Sequence, residues 1–182
     1  KKIIFLNNIM FNATISSTMN LVCVQYGCGF SAPDNWINYD SSPTLRFEKL
    51  PFIRHLYVRQ STVKKGLFPR NILYGDIIKG LPLQKNSVDR LYCSHVLEHL
   101  SYKDCLTALE NSYYYLKPGG IFRLVLPNLS EVIQSYLNDN SVDASHHLMK
   151  SSYLGKETRP RTFKQFIFEW FSNAGHLWLW DE

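Results

Sequence analysis

The chain has 182 residues, 45% apolar and 19% charged, a composition that suits one globular core and excludes a disordered or disulfide-stapled chain. The formal net charge is +5, but basic residues gather only mildly, at Lys64–Lys65 and along 156–164, so no block of like charge points to nucleic acid. Cys23, Cys28, Cys93 and Cys105 form no C-x-x-C pair; they predict reduced core thiols and a reducing, cytoplasmic compartment.

The opening "KKIIFLNNIMFNATISS" holds an apolar run that Asn7 and Asn8 interrupt, too short to span a membrane. Residues 1–18 are expected to be an N-terminal extension, with Met19 a candidate start. "NLVCVQY" (20–26) is a short apolar run ending in "GCG", which predicts a buried strand and a turn. "WINYD" (36–40) predicts a second strand, and residues 44–58 a helix broken at Pro51. "NILYGDI" (71–77) and "SVDRLYCS" (87–94) predict a third and a fourth strand.

"SYKD" (101–104) reads as a capping box, with Ser101 the cap and Asp104 three residues on. Leu106, Leu109, Tyr113 and Leu116 then mark one helix face. "KPGG" (117–120) is expected to stop that helix, with Lys117 in its last turn and the glycines in a left-handed turn. "IFRLVLP" (121–127) predicts a fifth strand. Asn128 with Glu131 caps a further helix striped by Leu129, Val132, Ile133, Tyr136 and Leu137. A strand, a helix of about four turns and another strand require parallel pairing with a right-handed crossover. The fold class expected is therefore α/β, a mostly parallel sheet over residues 19–138, which binds ligands beyond the carboxyl ends of its strands.

Those strand ends carry a consistent set. Gly27, Cys28 and Gly29 follow the first strand, where glycines let the backbone approach a ligand closely. The G-x-G-x-x-G dinucleotide fingerprint fails, because Ala32 stands at its last position. Asp40 ends the second strand, where an acid commonly takes ribose hydroxyls; Asp76 ends the third, placed to accept from an adenine amino group. Ser94 and His95 end the fourth. Each has a plainer reading as a turn, a cap or a solvated acid.

"YGCGFSAPDNWINYD", "YGDIIKGLPLQKNSVDRLYCSHVLEHL" and "LKPGGIFRLVLPNL" together resemble the class I S-adenosylmethionine-dependent methyltransferases, nearest to the type 11 group, from about Met19 to Asn138. The resemblance implies a Rossmann-like sheet with helices on both faces. It implies that Gly27, Cys28 and Gly29 flank the methionine part of the cofactor, that Asp40 binds ribose, that Asp76 and Ile77 frame adenine, and that Ser94 and His95 face the methyl end. S-adenosylhomocysteine would be the product. Gln25 stands where the family often has an acid, and Asn128 where it often has Asp. The terminal "GHLWLWDE" resembles a family segment that leads into one more helix and a strand hairpin. The expectation is a truncated or partly observed protein without those elements, whose sheet edge would be open to aggregation or to a homodimer.

"SHVLEHL" (94–100) also contains H-x-x-E-H, a zinc-peptidase pattern in His95, Glu98 and His99. That chemistry needs both histidines on one helix and a third ligand. His95 is expected at a strand end, and Glu110, Glu131 and Glu157 offer no distinctive third ligand, so no metal is expected. Methyl transfer from a sulfonium needs alignment and exclusion of water more than acid catalysis. His95 is the candidate general base, with a purely pocket-shaping histidine the alternative. Residues 139–182 are aromatic and basic and are expected to form a substrate side or lid. There Thr162 and Gln165 make a capping box, and Phe163, Phe166, Ile167, Trp170, Phe171 and Ala174 a helix stripe. His146, His147, His176 and Trp178 are candidates for reaching the acceptor. The function expected is methyl transfer to a small molecule or glycan, with a cofactor-binding but catalytically idle domain and a zinc hydrolase as alternatives.

Overall fold

The computed structural model describes residues 2–5, 21–50, 67–163, 165 and 175–181. The second half of the helix expected over 44–58, Lys64–Lys65, Met19, most of the segment 1–18, and the stripe residues Phe166 to Ala174 lie outside the described residues. The chain divides into two compact units: residues 1–94 with 107–124, and residues 95–106 with 125–182.

The strands are β1 (Lys2–Phe5), β2 (Cys23–Tyr26), β3 (Ile37–Asp40), β4 (Ile72–Tyr74), β5 (Val88–Ser94) and β6 (Leu116–Val125). Among the described residues the helices include α1 (Pro43–Glu48), α2 (Tyr102–Tyr115), α3 (Leu129–Asn138) and α4 (Ala144–Ser151), with a 3-10 turn at Leu97–His99.

The sheet runs β1-β6-β5-β2-β3-β4. Pairings β1–β6, β2–β3, β2–β5 and β3–β4 are parallel. Parallel strands buried on both faces read as continuous apolar runs, and β2 is buried at all four positions. The parallel α/β sheet expected from the sequence is what forms. Part of the segment expected as an extension supplies β1, which pairs Lys2 with Ile121 through Phe5 with Leu124 on the outer side of β6.

Successive strands β2, β3 and β4 step outward on one side of β2, while β5 and β6 lie on the other. The order therefore reverses between β2 and β5, and a doubly wound sheet binds ligands at the carboxyl ends flanking that reversal.

Helix α2 begins as expected: the Asp104 backbone N donates to Ser101 Oγ at 3.2 Å, and Ser101 Oγ donates to Asp104 Oδ2 at 2.7 Å. Its buried face is not the expected one. Leu106 and Tyr113 are exposed, whereas Cys105, Ala108, Ser112 and Tyr115 are buried. Small residues let the helix approach closely, and polar groups then tie it down. Tyr26 Oη and Ser112 Oγ are 3.1 Å apart, and Tyr115 Oη accepts from Leu81 N at 2.7 Å and donates to Leu81 O at 3.1 Å.

The stop also differs from expectation. The helix ends at Tyr115, and Leu116–Gly120 already belong to β6. Gly119 takes the left-handed φ of +81° inside that strand, and Lys117 Nζ, instead of closing the helix, donates to Asp89 Oδ2 at 2.8 Å. That bond, first, and the Val22 N–H hold the Asp89 carboxyl below its ordinary range.

In the second unit, Asn128 caps α3 by accepting from Ser130 N at 2.9 Å, with Glu131 in the first turn. Ile133, Tyr136 and Leu137 of its apolar stripe are exposed. Gln165 N donates to Thr162 Oγ1 at 3.3 Å and Thr162 N to Gln165 Oε1 at 3.2 Å, which closes the second capping box read from the sequence.

Candidate functional site

The parallel register brings the strand-end residues of the first unit into one row. Tyr26 pairs with Cys93 on one side and with Tyr39 on the other. The residues one step further, Gly27, Ser94 and Asp40, therefore stand side by side at the carboxyl edge. Asp40 in turn pairs with Tyr74, which sets Gly75 and Asp76 just beyond the same row.

The loop after β2 turns on Gly27 (φ +64°) and Gly29 (φ +54°), a left-handed backbone that glycine adopts without a Cβ penalty. A Cβ at Gly29 would meet nothing within 4 Å, so the loop is open on that side. Asp40 closes it. One carboxylate oxygen accepts from Gly29 N and the other from Ser42 N, each at 2.8 Å, and the side chain is buried. A carboxylate has roughly four acceptor positions, so two remain for hydroxyl donors.

Gln25 braces the loop from inside the sheet. Its Nε2 donates to Ser31 O at 2.6 Å and to Asn38 Oδ1 at 2.7 Å. The Asn38 amide donates onward to Pro33 O and Trp36 O. An acid at position 25 would lack both donors. Cys28 lies in the loop but is no nucleophile: burial first, then the nearby Asp40 carboxylate, pushes its thiol up to about 12.

Asp76 forms its own turn, with Oδ1 accepting from Ile78 N at 3.0 Å and Oδ2 3.6 Å from Lys79 Nζ. Ile77 is buried beside it. Asn111 of α2, which sequence reading missed, donates from Nδ2 to Ile77 O at 2.7 Å and Ile78 O at 3.3 Å. The only signal in the sequence was a polar residue one turn before Tyr115, which does not distinguish a brace from a solvated side chain.

His95, next after Ser94, belongs to the second unit. Its φ is +53°, an uncommon conformation for a residue with a Cβ. The 3-10 turn begins only at Leu97, so His95 and His99 do not share a helix and the i, i+4 geometry of a zinc peptidase is not made. Instead His95 Nδ1 lies 3.1 Å from Glu98 Oε1. Glu98 is fully buried, its Oε2 has no hydrogen-bond partner among the described residues, and its carbonyl accepts from Leu177 N at 2.7 Å and Trp178 N at 3.2 Å.

His99 Nδ1 donates to Gly175 O at 3.0 Å. The rings of His99 and His176 meet edge to face at 5.0 Å, and His176 Nδ1 is buried without a hydrogen-bond partner among the described residues. Burial, the largest influence, lowers the proton affinity of His176, against the pull of Glu98. Of the other residues expected on the acceptor side, His147 Nδ1 pairs with Asp139 Oδ2 at 2.8 Å, and Trp178 joins Tyr102 and Trp180 in an aromatic cluster.

Residues 46–124 match the family model of a methyltransferase domain, the type 11 group. No curated protein matches the chain. Among solved structures, it is similar to a protein named PKMT2 from Rickettsia typhi in complex with AdoHcy, at 17% identity over 84% of this chain and 32% of that one, TM-score 0.42. It is also similar to a SAM-dependent methyltransferase from Archaeoglobus fulgidus, at 16% identity over 85% of this chain and 77% of that one, TM-score 0.39. A third is the complex between the Haloferax volcanii Trm112 methyltransferase activator and a methyltransferase, at 22% identity over 57% of this chain, TM-score 0.35. This chain spans 43% of the length of that third relative. The fold statement rests on the strand order and pairing above rather than on these likenesses. Over residues 46–124 the chain is similar to a methyltransferase domain, the same family that the strand-end motifs resemble.

Proposed function

We propose that the chain is the cofactor-binding part of an S-adenosylmethionine-dependent methyltransferase that transfers methyl in line to a small-molecule or glycan acceptor. One observation carries this reading: the open Gly27–Gly29 loop, closed by the buried Asp40 carboxylate, sits at the carboxyl end of β2 where the strand order reverses. The cofactor's sulfonium supplies a methyl group already activated for displacement.

The chain's own residues bind and orient. Asp40 takes ribose hydroxyls with the acceptor positions its backbone bonds leave free. Gly27, Cys28 and Gly29 line the methionine part, Asp76 accepts from the adenine amino group, and Ile77 gives the base an apolar neighbour. Ser94 and His95, consecutive in the chain, serve the methyl end, with His95 as the base for a protonated nucleophile.

Calorimetric titration with S-adenosylhomocysteine tests the reading. One site per chain is expected, with a loss of at least tenfold in affinity in Asp40→Asn. No binding by the wild-type chain would overturn it. Gln25, whose amide is committed to the loop, gives the cofactor's ammonium no negative charge to meet. Binding without turnover on any acceptor offered would move the assignment to the catalytically idle domain.

A further inference from the structure

Glu98, His99 and His176 each offer a ligand atom, and the three atoms all lie within 4.8 Å of one another. We propose that these three residues form a zinc site that joins the 97–99 turn to the 175–178 segment within the second unit, independent of cofactor binding in the first. The ligand set is not the H-x-x-E-H pair of the sequence. His95 is outside it, and His176 replaces it.

The donor chemistry is already arranged. His99 Nδ1 carries the proton it donates to Gly175 O, so Nε2 presents a lone pair. A ligating histidine typically donates its other ring nitrogen to a carbonyl in this way. His176 interacts with the Ser152 main chain, while its Nδ1 is buried and unpartnered. Glu98 is fully buried, with Oε2 unpartnered and Oε1 held by His95 Nδ1.

A buried carboxylate oxygen and a buried imidazole nitrogen without partners are each costly, and they lie in the same cluster. A divalent cation relieves both at once. Two histidines and one carboxylate with a fourth position for water make a zinc donor set. Tetrahedral zinc with bonds of about 2.0–2.1 Å spaces its ligand atoms by roughly 3.4 Å. The cluster must therefore close by at most about 1.5 Å, a side-chain adjustment that leaves the backbone bonds of Glu98 and Gly175 intact.

The test is zinc content by mass spectrometry of the purified full chain, stripped with chelator, reloaded with zinc chloride and desalted. One zinc per chain is expected, with a higher melting temperature than the stripped protein. Glu98→Gln and His176→Gln should lose stoichiometric zinc. His95→Ala should keep it, weakened by no more than about 10–100-fold, as for a group that orients a ligand from outside. Far-UV circular dichroism separates loss of zinc from loss of fold. Should a ligand variant fail to fold, wild-type protein loaded with Co2+ still decides: tetrahedral d–d absorption supports the site, and its absence overturns it. Zinc-free wild-type protein after reloading, or zinc lost in His95→Ala but kept in His176→Gln, would likewise overturn the proposal. Cofactor titration is read separately, so failure here leaves the methyltransferase reading standing.

Discussion

Asp40→Asn is the most informative single change in the first unit. The substitution preserves volume and removes one acceptor. In the native structure each carboxylate oxygen takes one backbone N–H at 2.8 Å, Gly29 N on Oδ2 and Ser42 N on Oδ1. Hydrogen bonds to a charged group contribute about 1.5–3 kcal/mol each. Asparagine keeps one of the two as a neutral bond, and its NH2 then faces the other N–H, donor against donor. The expected loss is about 2–3 kcal/mol of folding stability, one charge-assisted bond broken and the other weakened. Urea unfolding followed by circular dichroism reads this as a lower midpoint at unchanged slope. In either amide orientation Gly29 N loses its bond to a charged oxygen, so its loop should also loosen, and affinity for S-adenosylhomocysteine should fall with stability. A stability change under about 0.5 kcal/mol would refute the reasoning, because a surface-like substitution costs no more than that.

Gly75→Ala should destabilise by about 1–3 kcal/mol, read as a lower melting temperature, since its Cβ would lie 2.6 Å from Tyr39 Cδ1 and 2.7 Å from Leu81 Cδ2, both on buried side chains. Asn111→Ala should raise the dissociation constant for S-adenosylhomocysteine about tenfold by freeing the Ile77 and Ile78 carbonyls; an unchanged constant would remove Asn111 from its positioning role. With its thiol at about 12 against an ordinary 9.0, Cys28 should be alkylated at pH 8 about 10³-fold more slowly than a free thiol, measured by peptide mapping. The sign for stability follows: above pH 9 the unfolded chain releases this proton and the folded one keeps it, so the contribution of Cys28 falls between pH 9 and 12.

Strands β2, β3 and β5 were legible as short segments bounded by turn residues, with β2 buried at all four positions and β5 alternating. "CVQY", "INYD" and "VDRLYCS" all formed where the pattern put them. The buried face of α2 was not legible. Periodicity of large apolar residues selected Leu106, Leu109, Tyr113 and Leu116; Leu116 is buried, as the first residue of β6, but Leu106 and Tyr113 are exposed, and the small Cys105, Ala108 and Ser112 lie inside, where close approach favours them. The helix over Ala144–Ser151 gave no usable stripe, since none of its residues is buried. The strand-end residues were legible as a set because register, which the sequence implies only through strand order, places them in one row. Asn111 was not, because its partners are main-chain carbonyls 33 and 34 residues away, and main-chain acceptors leave no mark in a sequence.

The pentapeptide "HVLEH" shows how far letters carry. As a helical motif it requires His95 and His99 one turn apart, and the left-handed φ of His95 ahead of a three-residue 3-10 turn breaks that condition. Yet the chemistry the letters suggested is not dissolved. The break turns His95 toward Glu98 Oε1 and leaves Oε2 facing inward without a partner. The chain then returns 76 residues after His99 to place Gly175 O on His99 and, one residue later, His176 beside it. Two of the three proposed ligands come from the motif and the third from a segment that no local spacing rule could connect to it. On the proposed site the motif names the wrong partner histidine but the right class of ligand, and the zinc content of His95→Ala against His176→Gln tests this.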